Sequence, residues 1–280
     1  MVVVPDDYLR YCLSNPWIGY GLGGVLSAGV TYVLVALFLE MCLYSDIFKS
    51  SRITYGSAKD RLECIKGVHK KICFRDQFFG AMMMMFGPGA IGNGVMASLI
   101  LGYCVPLEPE LDLYPAWKIV LWEAAVMLVI NDFFLYWGHR VQHESEFLWK
   151  NLHYFHHQLG TPTPVGTVFI DFNDAALQAN LPILFAGLLV RGHPYSMYLM
   201  IAARIADNVH NHSGLDSPLL NLLFLKVLPF RGSVTHHDSH HRFSNYTSNA
   251  KNYGEYFWIW DYMFGTYSKT SMMSNTNKVH

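Results

Sequence analysis

Long apolar segments interrupt an otherwise mixed sequence. The first, Trp17–Tyr44, has no charged residue before Glu40 and exceeds the roughly 20 residues that cross a bilayer core. Two others occupy residues 78–106 and 117–137. We interpret all three as transmembrane helices. The first is a span and not a signal peptide, because the residues before it do not form the basic segment of a signal peptide.

A fourth apolar segment, residues 175–206, is broken by the run Arg-Gly-His-Pro at 191–194. Its arms, 175–190 and 195–206, are too short to be two straight spans, and a charged Gly/Pro break is typical of a turn. The segment is therefore predicted to form a helical hairpin. The whole pattern predicts an all-α polytopic membrane protein with about three transmembrane helices plus this hairpin.

The charges between the apolar segments predict the orientation of the chain. Residues 45–77 carry eight basic against four acidic groups, whereas residues 105–116 carry three acidic groups and no basic one. Loops near spans are enriched in Lys and Arg on the cytosolic side, so the basic loop is expected to be cytosolic. Counting through the spans places the chain from His139 onward on the same side, as a cytosolic, histidine-rich helical cap.

Composition narrows the class of protein. The chain of 280 residues is 52% apolar and only 15% charged, against roughly 25% charged in a typical soluble protein. Its 20 basic and 21 acidic residues leave no net positive charge for nucleic-acid binding, which we exclude. Five scattered cysteines without a Cys-x-x-Cys pair indicate neither a disulfide framework nor a zinc ribbon.

Histidine is the unusual residue, and most of the fourteen fall in three clusters in which the first member is followed by others three or four positions later. The clusters are His139 and His143; His153, His156 and His157; and His237, His240 and His241. This spacing places imidazoles on one face of a helix, and imidazole is the commonest metal ligand. Eight such groups exceed the needs of one ion, so a pair of ions is expected. His212, which follows the hairpin, completes the predicted ligand set.

A single histidine is more often a partly buried polar residue than a ligand, but three clusters are harder to explain without a metal. Packed imidazoles repel one another when protonated and leave nitrogens unpaired when neutral. Three neighbours are expected to support the ligand rings: Asp132, Asp238 and His236. Asp132 lies seven residues before His139 and therefore on nearly the same helical face, although an interfacial anchor is an alternative interpretation.

These motifs resemble those of the sterol desaturase and fatty acid hydroxylase superfamily. The matching segments are residues 131–143, the His-x-x-His-His at 153–157, the run His-His-Asp-Ser-His-His at 236–241, and Trp-Asp-Tyr-Met-Phe-Gly-Thr at 260–266. Pro229-Phe230 before the third cluster and the Asn-His-Ser-Gly at 211–214 are most similar to sterol C4-methyl oxidases and cholesterol 25-hydroxylase-like enzymes. The resemblance divides the chain into membrane spans with a basic loop (1–117), a catalytic domain (118–267) and a flexible tail (268–280).

The resemblance implies a non-haem di-iron oxygenase of the endoplasmic reticulum membrane. It would use O2, and electrons from NAD(P)H delivered through a reductase and cytochrome b5, to hydroxylate or oxidise a C–H bond of a sterol or fatty-acyl lipid, most like a C4-methylsterol oxidase. The eight cluster histidines and His212 match the family's ligand positions. Asn131 stands where methyl oxidases usually carry an acidic residue, and residues 169–174 depart from their motif, so the substrate stays open.

Two alternatives remain at this stage. A lipid desaturase shares the same metal chemistry and the same motifs. A polytopic metal transporter or metal-binding protein would also use histidines, but transport requires polar groups along a path inside the spans. The histidines lie at one face and the spans are nearly free of charge, which favours the enzyme.

Overall fold

The computed structural model describes residues 5–53, 65–66, 71–105, 107, 111–159, 163–244 and 250–269. Within these residues the chain is nearly all helical, as the apolar pattern predicts. The helices are α1 Asp6–Ser14, α2 Gly23–Tyr44, α3 Phe74–Met85, α4 Pro88–Cys104, α5 Trp117–Glu144, α6 Glu146–Leu148, α7 Tyr154–His157, α8 Phe172–Ala175, α9 Leu181–Val190, α10 Pro194–Asn211, α11 Pro218–Leu223, α12 Val234–Phe243 and α13 Ile259–Met263.

Shorter elements extend several of these helices. Wide helical turns cover Trp17–Leu22, Trp149–His153 and Ala176–Asn180, and tight turns cover Asp46–Ser51 and Val165–Val168. Two short strands, β1 Ile65–Lys66 and β2 Lys71–Ile72, pair antiparallel with Ile65 opposite Ile72. Most of the basic loop, the acidic residues Glu108 and Glu110, and the predicted tail beyond residue 269 lie outside the described residues.

Four helical stretches are long and apolar enough to cross a membrane: Trp17–Tyr44, Phe74–Cys104, Trp117–Glu144 and Phe172–Val190. Their outward faces are apolar, as Leu34 on α2 and Trp122 on α5 show with 64% and 71% exposure. Large apolar surfaces of this kind are expected where lipid surrounds a helix. The predicted all-α membrane architecture is therefore confirmed.

The second predicted span is divided into two helices. α3 ends at Met85, and α4 starts with Pro88 at its first position. Proline lacks the N–H that a continuous helix would need there, so the chain turns at residues 86–87 and restarts. A single apolar window does not show this break.

The two predicted arms are helical and join at the polar run 191–194, but the first is long enough to be a candidate span, contrary to the prediction. Arg191 closes α9 in the left-handed conformation at φ 53°, and the side chain of His193 caps α10 by accepting from the N–H of Tyr195. The first arm is longer than predicted, because Asp171 caps a helical start at Phe172. α10 packs against α2 and α5, and the buried side chains Leu39, Met127 and Met200 lie in this core.

Candidate metal centre

Two adjoining groups of buried histidines lie where α5, α7, α10 and α12 meet. The larger group has five members, each offering one ring nitrogen, and these nitrogens all lie within 4.8 Å of one another. They belong to His139, His143, His153, His157 and His240. The spacing of four residues at the end of α5 directs His139 and His143 to the same point, and α12 brings His240 to it.

The smaller group is built on His156, His212 and His241, whose nitrogens also lie within 4.8 Å of one another. His237 joins it, because its Nε2 lies 3.2 Å from the Nε2 of both His212 and His241. The rings of His157 and His241 stack with centroids 4.7 Å apart, so the two groups touch. The structure thus brings together all nine histidines that the sequence proposes as ligands, in sets of five and four.

Backbone carbonyls hold several rings from outside. His139 Nδ1 donates to the Tyr253 carbonyl at 2.9 Å, and His240 Nδ1 donates to that of Lys251 at 2.7 Å. A carbonyl oxygen only accepts, so Nδ1 carries the proton in both rings and Nε2 keeps its lone pair. Such outer partners fix the tautomer and the orientation of a metal-binding imidazole.

The pair His156 and His212 gives the clearest indication of a cation. His156 Nδ1 donates to the Phe169 carbonyl at 3.4 Å and His212 Nδ1 to the Asn208 carbonyl at 2.9 Å, yet the two Nε2 atoms face each other at 3.4 Å. Two lone pairs with no proton between them repel. Imidazole nitrogens about 2.1 Å from a shared ion would lie roughly 3.0–3.4 Å apart, so the spacing fits two ligands of one metal.

The same inward spacing recurs in the larger group. His153 and His143 have their Nε2 atoms 3.0 Å apart, and those of His240 and His157 are 3.2 Å apart. Both distances also match ligands that share an ion. Each group therefore fits a bound metal on its own geometry.

Burial keeps these imidazoles in the metal-binding form. It lowers the pKa of His212 to about 3 and also lowers the pKa of His156. The pKa values of His157, His237 and His241 lie well below the ordinary value, because burial is reinforced by neighbouring imidazoles. All are neutral near pH 7, as coordination requires.

Two polar residues of the fourth candidate span, Asp174 and Gln178, support the larger group and were missed from the sequence. Asp174 Oδ2 accepts from His153 Nδ1 at 3.0 Å, and its Oδ1 accepts from Gln178 Nε2 at 2.7 Å. Asp174 is fully buried. The sequence did carry a signal for them: a carboxylate and an amide lie four positions apart at the start of an apolar segment. Polar groups in a membrane span cost free energy unless they have a functional role.

Asp132 has a different role from the predicted one. Its carboxylate accepts from the backbone N–H groups of Tyr256 and Phe257 at 3.0 and 2.9 Å and from the Trp260 indole at 2.9 Å. Seven residues along a helix is about 10.5 Å, too far to hold the His139 ring, although the face is shared. The predicted contact is replaced by one that ties α5 to the segment before α13.

The other two predicted supporting residues lie on α12. His236 Nε2 lies 3.2 Å from Asp261, whose carboxylate accepts the N–H of Tyr253, the residue whose carbonyl holds His139. His236 thus reaches the larger group through two intermediates. Asp238 is buried, and its supporting role stays a prediction.

Histidines outside the nine have other surroundings. His193 caps α10, and its Nε2 lies 2.8 Å from the Asp112 carbonyl. His210 is fully buried and stacks on Phe224 at 4.3 Å. His69 and His280 lie outside the described residues.

Two adjoining cavities lead from the membrane-spanning helices to the smaller group. A cavity of about 110 Å³ is lined by His156 and His212 at one end. It shares Ala28, Ile183 and Ile201 with a second cavity of about 80 Å³ that lies among the spans. The second cavity is lined mostly by apolar side chains and glycines, whereas the first also has the charged side chains of Arg204 and Glu255 in its wall. The route is therefore apolar among the spans and mixed beside the histidines.

Comparison with known proteins points to one family. The model of the Fatty acid hydroxylase family matches residues 124–266, just over half of the chain. The chain is 32% identical over 152 residues to Methylsterol monooxygenase 2-2 of Arabidopsis thaliana, covering 54% of each protein. It is 30% identical over 175 residues to Very-long-chain aldehyde decarbonylase GL1-8 of Oryza sativa subsp. indica, covering 59% of this chain and 60% of that protein.

A longer match is more distant. Methylsterol monooxygenase 1-2 of Arabidopsis thaliana is 24% identical over 268 residues, which is 93% of this chain and 79% of the relative. The chain spans only about half to three-fifths of the length of the first two relatives. No solved structure matches it. The matched region, residues 124–266, contains all nine clustered histidines, and the chain belongs to the fatty acid hydroxylase family.

Proposed function

We propose that the protein is a membrane-bound di-iron oxygenase that hydroxylates or oxidises a C–H bond of a sterol or fatty-acyl lipid. The observation that carries the proposal is the pair of facing Nε2 atoms of His156 and His212 at 3.4 Å, both with their protons directed outward. The family membership and the apolar cavity among the spans, which adjoins the cavity at this pair, support a lipid oxidation.

The larger histidine group would hold one iron and the smaller group the other. When bound, the irons would supply the activation of O2 for attack on a C–H bond. The chain's own residues orient the ligands: carbonyls of Tyr253, Lys251 and Asn208 fix three rings, and Asp174 fixes His153. All nine imidazoles are buried, which limits the access of bulk water to the centre.

The lipid would approach along the two cavities. Ala28, Ile183 and Ile201 line both of them, and the route ends at His156 and His212. Apolar walls bind a lipid through the area that they remove from water, and their shape decides which carbon reaches the histidines. The smaller histidine group is therefore the one that we expect to face the substrate.

The relatives and the motifs support a proposal for the substrate class and the electron supply. Methylsterol monooxygenases and an aldehyde decarbonylase are both among the similar proteins. Pro229-Phe230 and residues 211–214 favour a C4-methylsterol as substrate, whereas Asn131 and residues 169–174 depart from the methyl oxidase motifs. Electrons would come from NAD(P)H through a reductase and cytochrome b5. The excess of basic residues at 45–77 supports a cytosolic catalytic face, and the family resemblance supports the endoplasmic reticulum as the membrane.

The proposal is tested by lipid mass spectrometry of cells that overproduce the protein, under ¹⁸O2. A hydroxylase or oxidase gives a lipid product that carries ¹⁸O, whereas a desaturase gives a product two hydrogens lighter without the label. The matched variants are His212→Ala, which should lose the product, and His210→Ala, which alters a buried histidine on the same helix that belongs to neither group. Product formation that is insensitive to His212 would contradict the proposal.

A further inference from the structure

The connection between the His212 and His237 ligands contains an unusual apolar segment. Residues 218–230, which we call the anchor segment, include α11 and read Pro-Leu-Leu-Asn-Leu-Leu-Phe-Leu-Lys-Val-Leu-Pro-Phe. The segment lies outside all four candidate spans. Lys226 is its one charged residue.

The anchor segment turns most of its apolar side chains outward. Seven of them have exposed fractions between 49% and 63%: Leu219, Leu222, Leu223, Leu225, Val227, Leu228 and Phe230. Only Leu220 of the segment belongs to the fully buried core. An apolar surface of this density on a single short connection marks an interaction site and not ordinary surface variation.

The one charged side chain of the anchor segment is buried and does not share this exposed surface. The side chain of Lys226 is only 2% exposed, and its Nζ lies 2.9 Å from Asp207 Oδ1 and donates to Asn211 Oδ1 at 2.6 Å. It also donates to the Gly232 carbonyl at 2.8 Å. Burying an ammonium group is costly unless it is paired, and here an ion pair and two hydrogen bonds compensate. The consequence is an outward face that carries no charge.

The anchor segment lies beside the end of the first candidate span. The chain just before it pairs with the residues that follow α2: Ile53 donates to the Gly214 carbonyl, and Asp216 donates to the Ser51 carbonyl, both at 2.9 Å. Arg52 and Leu215 form the bridge between these strands of chain. The outward face is therefore at the level where α2 would leave the bilayer.

We propose that the anchor segment inserts into the bilayer leaflet on the histidine side, with lipid acyl chains as its occupant. Continuity with the end of α2 favours lipid over a soluble partner. The uncharged outer face distinguishes the segment from interfacial helices that keep Lys and Arg toward the headgroups, and it suits deeper insertion. Inserted in this way, the segment would fix the ends of α10 and α12, and thus His212 and the α12 histidines, at a set depth.

Photo-crosslinking of the full chain in native membranes tests this inference without relying on activity. Benzoylphenylalanine is placed at position 222, 227 or 228, one at a time, and adducts are identified by mass spectrometry. Position 34 on α2, where Leu34 is 64% exposed, is the positive control. Position 150, where the Lys150 side chain is 65% exposed, is the polar control on the cap.

We expect lipid adducts at positions 222, 227 and 228 with yields like that at position 34. At position 150 we expect no lipid adducts. Adducts to a second copy or to another protein would overturn the inference. So would the absence of lipid adducts at all three positions while position 34 gives them, or equal lipid yields at position 150. Because iron content and turnover are not the readout, failure here is distinguishable from failure of the proposed function.

Discussion

His156 and His212 face each other through their Nε2 atoms at 3.4 Å while each ring donates its Nδ1 proton to a backbone carbonyl behind it. The two residues are 56 positions apart in sequence and come from α7 and from the end of α10. Both rings are buried, so bulk solvent does not separate the lone pairs. A shared cation is the simplest explanation for two facing nitrogen lone pairs that would otherwise repel each other.

Removal of His212 should empty the smaller group selectively. His212→Ala takes away one of four candidate ligands there and leaves the five of the larger group untouched. We expect iron to fall from about two ions toward about one per chain, because three remaining imidazoles bind an ion less tightly than four. Iron analysis of the purified variant measures this.

His210→Ala is the matched control for His212→Ala. His210 is equally buried on the same helix but stacks on Phe224 and belongs to neither group. The His210→Ala variant should keep both irons even if some stability is lost. Equal iron loss in both variants would show that the helix, and not the ligand, had been disturbed.

Asp174→Asn should weaken the larger group without removing a ligand. The variant replaces the carboxylate that accepts from His153 Nδ1 with an amide, so the ring loses its charged partner. Loss of an outer partner of this kind typically costs about 10- to 100-fold in metal affinity. Competition with a chelator measures the change.

Asp171→Asn provides the comparison for Asp174→Asn. Asp171 caps the helical start three residues earlier by accepting from the N–H of Asn173, and asparagine caps about as well as aspartate. Metal affinity should therefore stay unchanged. An unchanged affinity in the Asp174 variant would remove that carboxylate from the account of the site.

The metal-free protein should lose stability as the pH falls. Burial lowers the folded-state pKa of His212 to about 3 and places those of His153, His237 and His240 well below the ordinary value, whereas the unfolded chain titrates at about 6.5. Below about pH 6.5 the unfolded state binds more protons, so the free energy of unfolding decreases, by up to about 1.4 kcal/mol per pH unit for each such histidine. Above that pH the contribution is fully present.

Thermal unfolding of chelator-treated protein between about pH 8 and pH 5 tests this pH dependence. The melting temperature should hold above about pH 6.5 and fall steeply below it. A melting temperature that does not change over this range would mean that the histidines are not buried together in the metal-free protein.

A bulky residue in the cavities should block the substrate and spare the metal. Ala28 lines both cavities, and Ala28→Phe would fill the space where they adjoin. Overpacking costs about 1–3 kcal/mol of stability, which a large membrane protein can tolerate. We expect loss of lipid product with unchanged iron content. Leu34→Phe, at an exposed position on α2, should have no effect on either quantity.

The sequence predicted the helical architecture and the nine clustered histidines because both leave periodic signals. Apolar runs reveal spans, and spacings of three and four residues reveal a shared helical face, as for His237, His240 and His241. Groups that act across the fold leave no such signal. Asp174 reaches His153 from a different helix, and the carbonyl of Tyr253 holds His139 from 114 residues away.

Asp132 shows the limit of the periodic argument. A separation of seven residues correctly places it on the face of His139, but the rise along α5 carries it two turns away, to the N–H groups of Tyr256 and Phe257. Similarly, an apolar window covers residues 78–106 without showing that Pro88 starts a new helix. Hydrophobic spacing shows neither the hydrogen-bond partners of Asp132 nor the helix break before Pro88.

The most direct test of the account is the metal content of the unmodified protein, isolated from iron-replete cells under gentle conditions. Histidine sets of five and four, with inward Nε2 spacings of 3.0 to 3.4 Å, predict two iron ions per chain. Two irons would establish that both sets bind metal. A single ion per chain, or the absence of any transition metal, would contradict the di-iron centre.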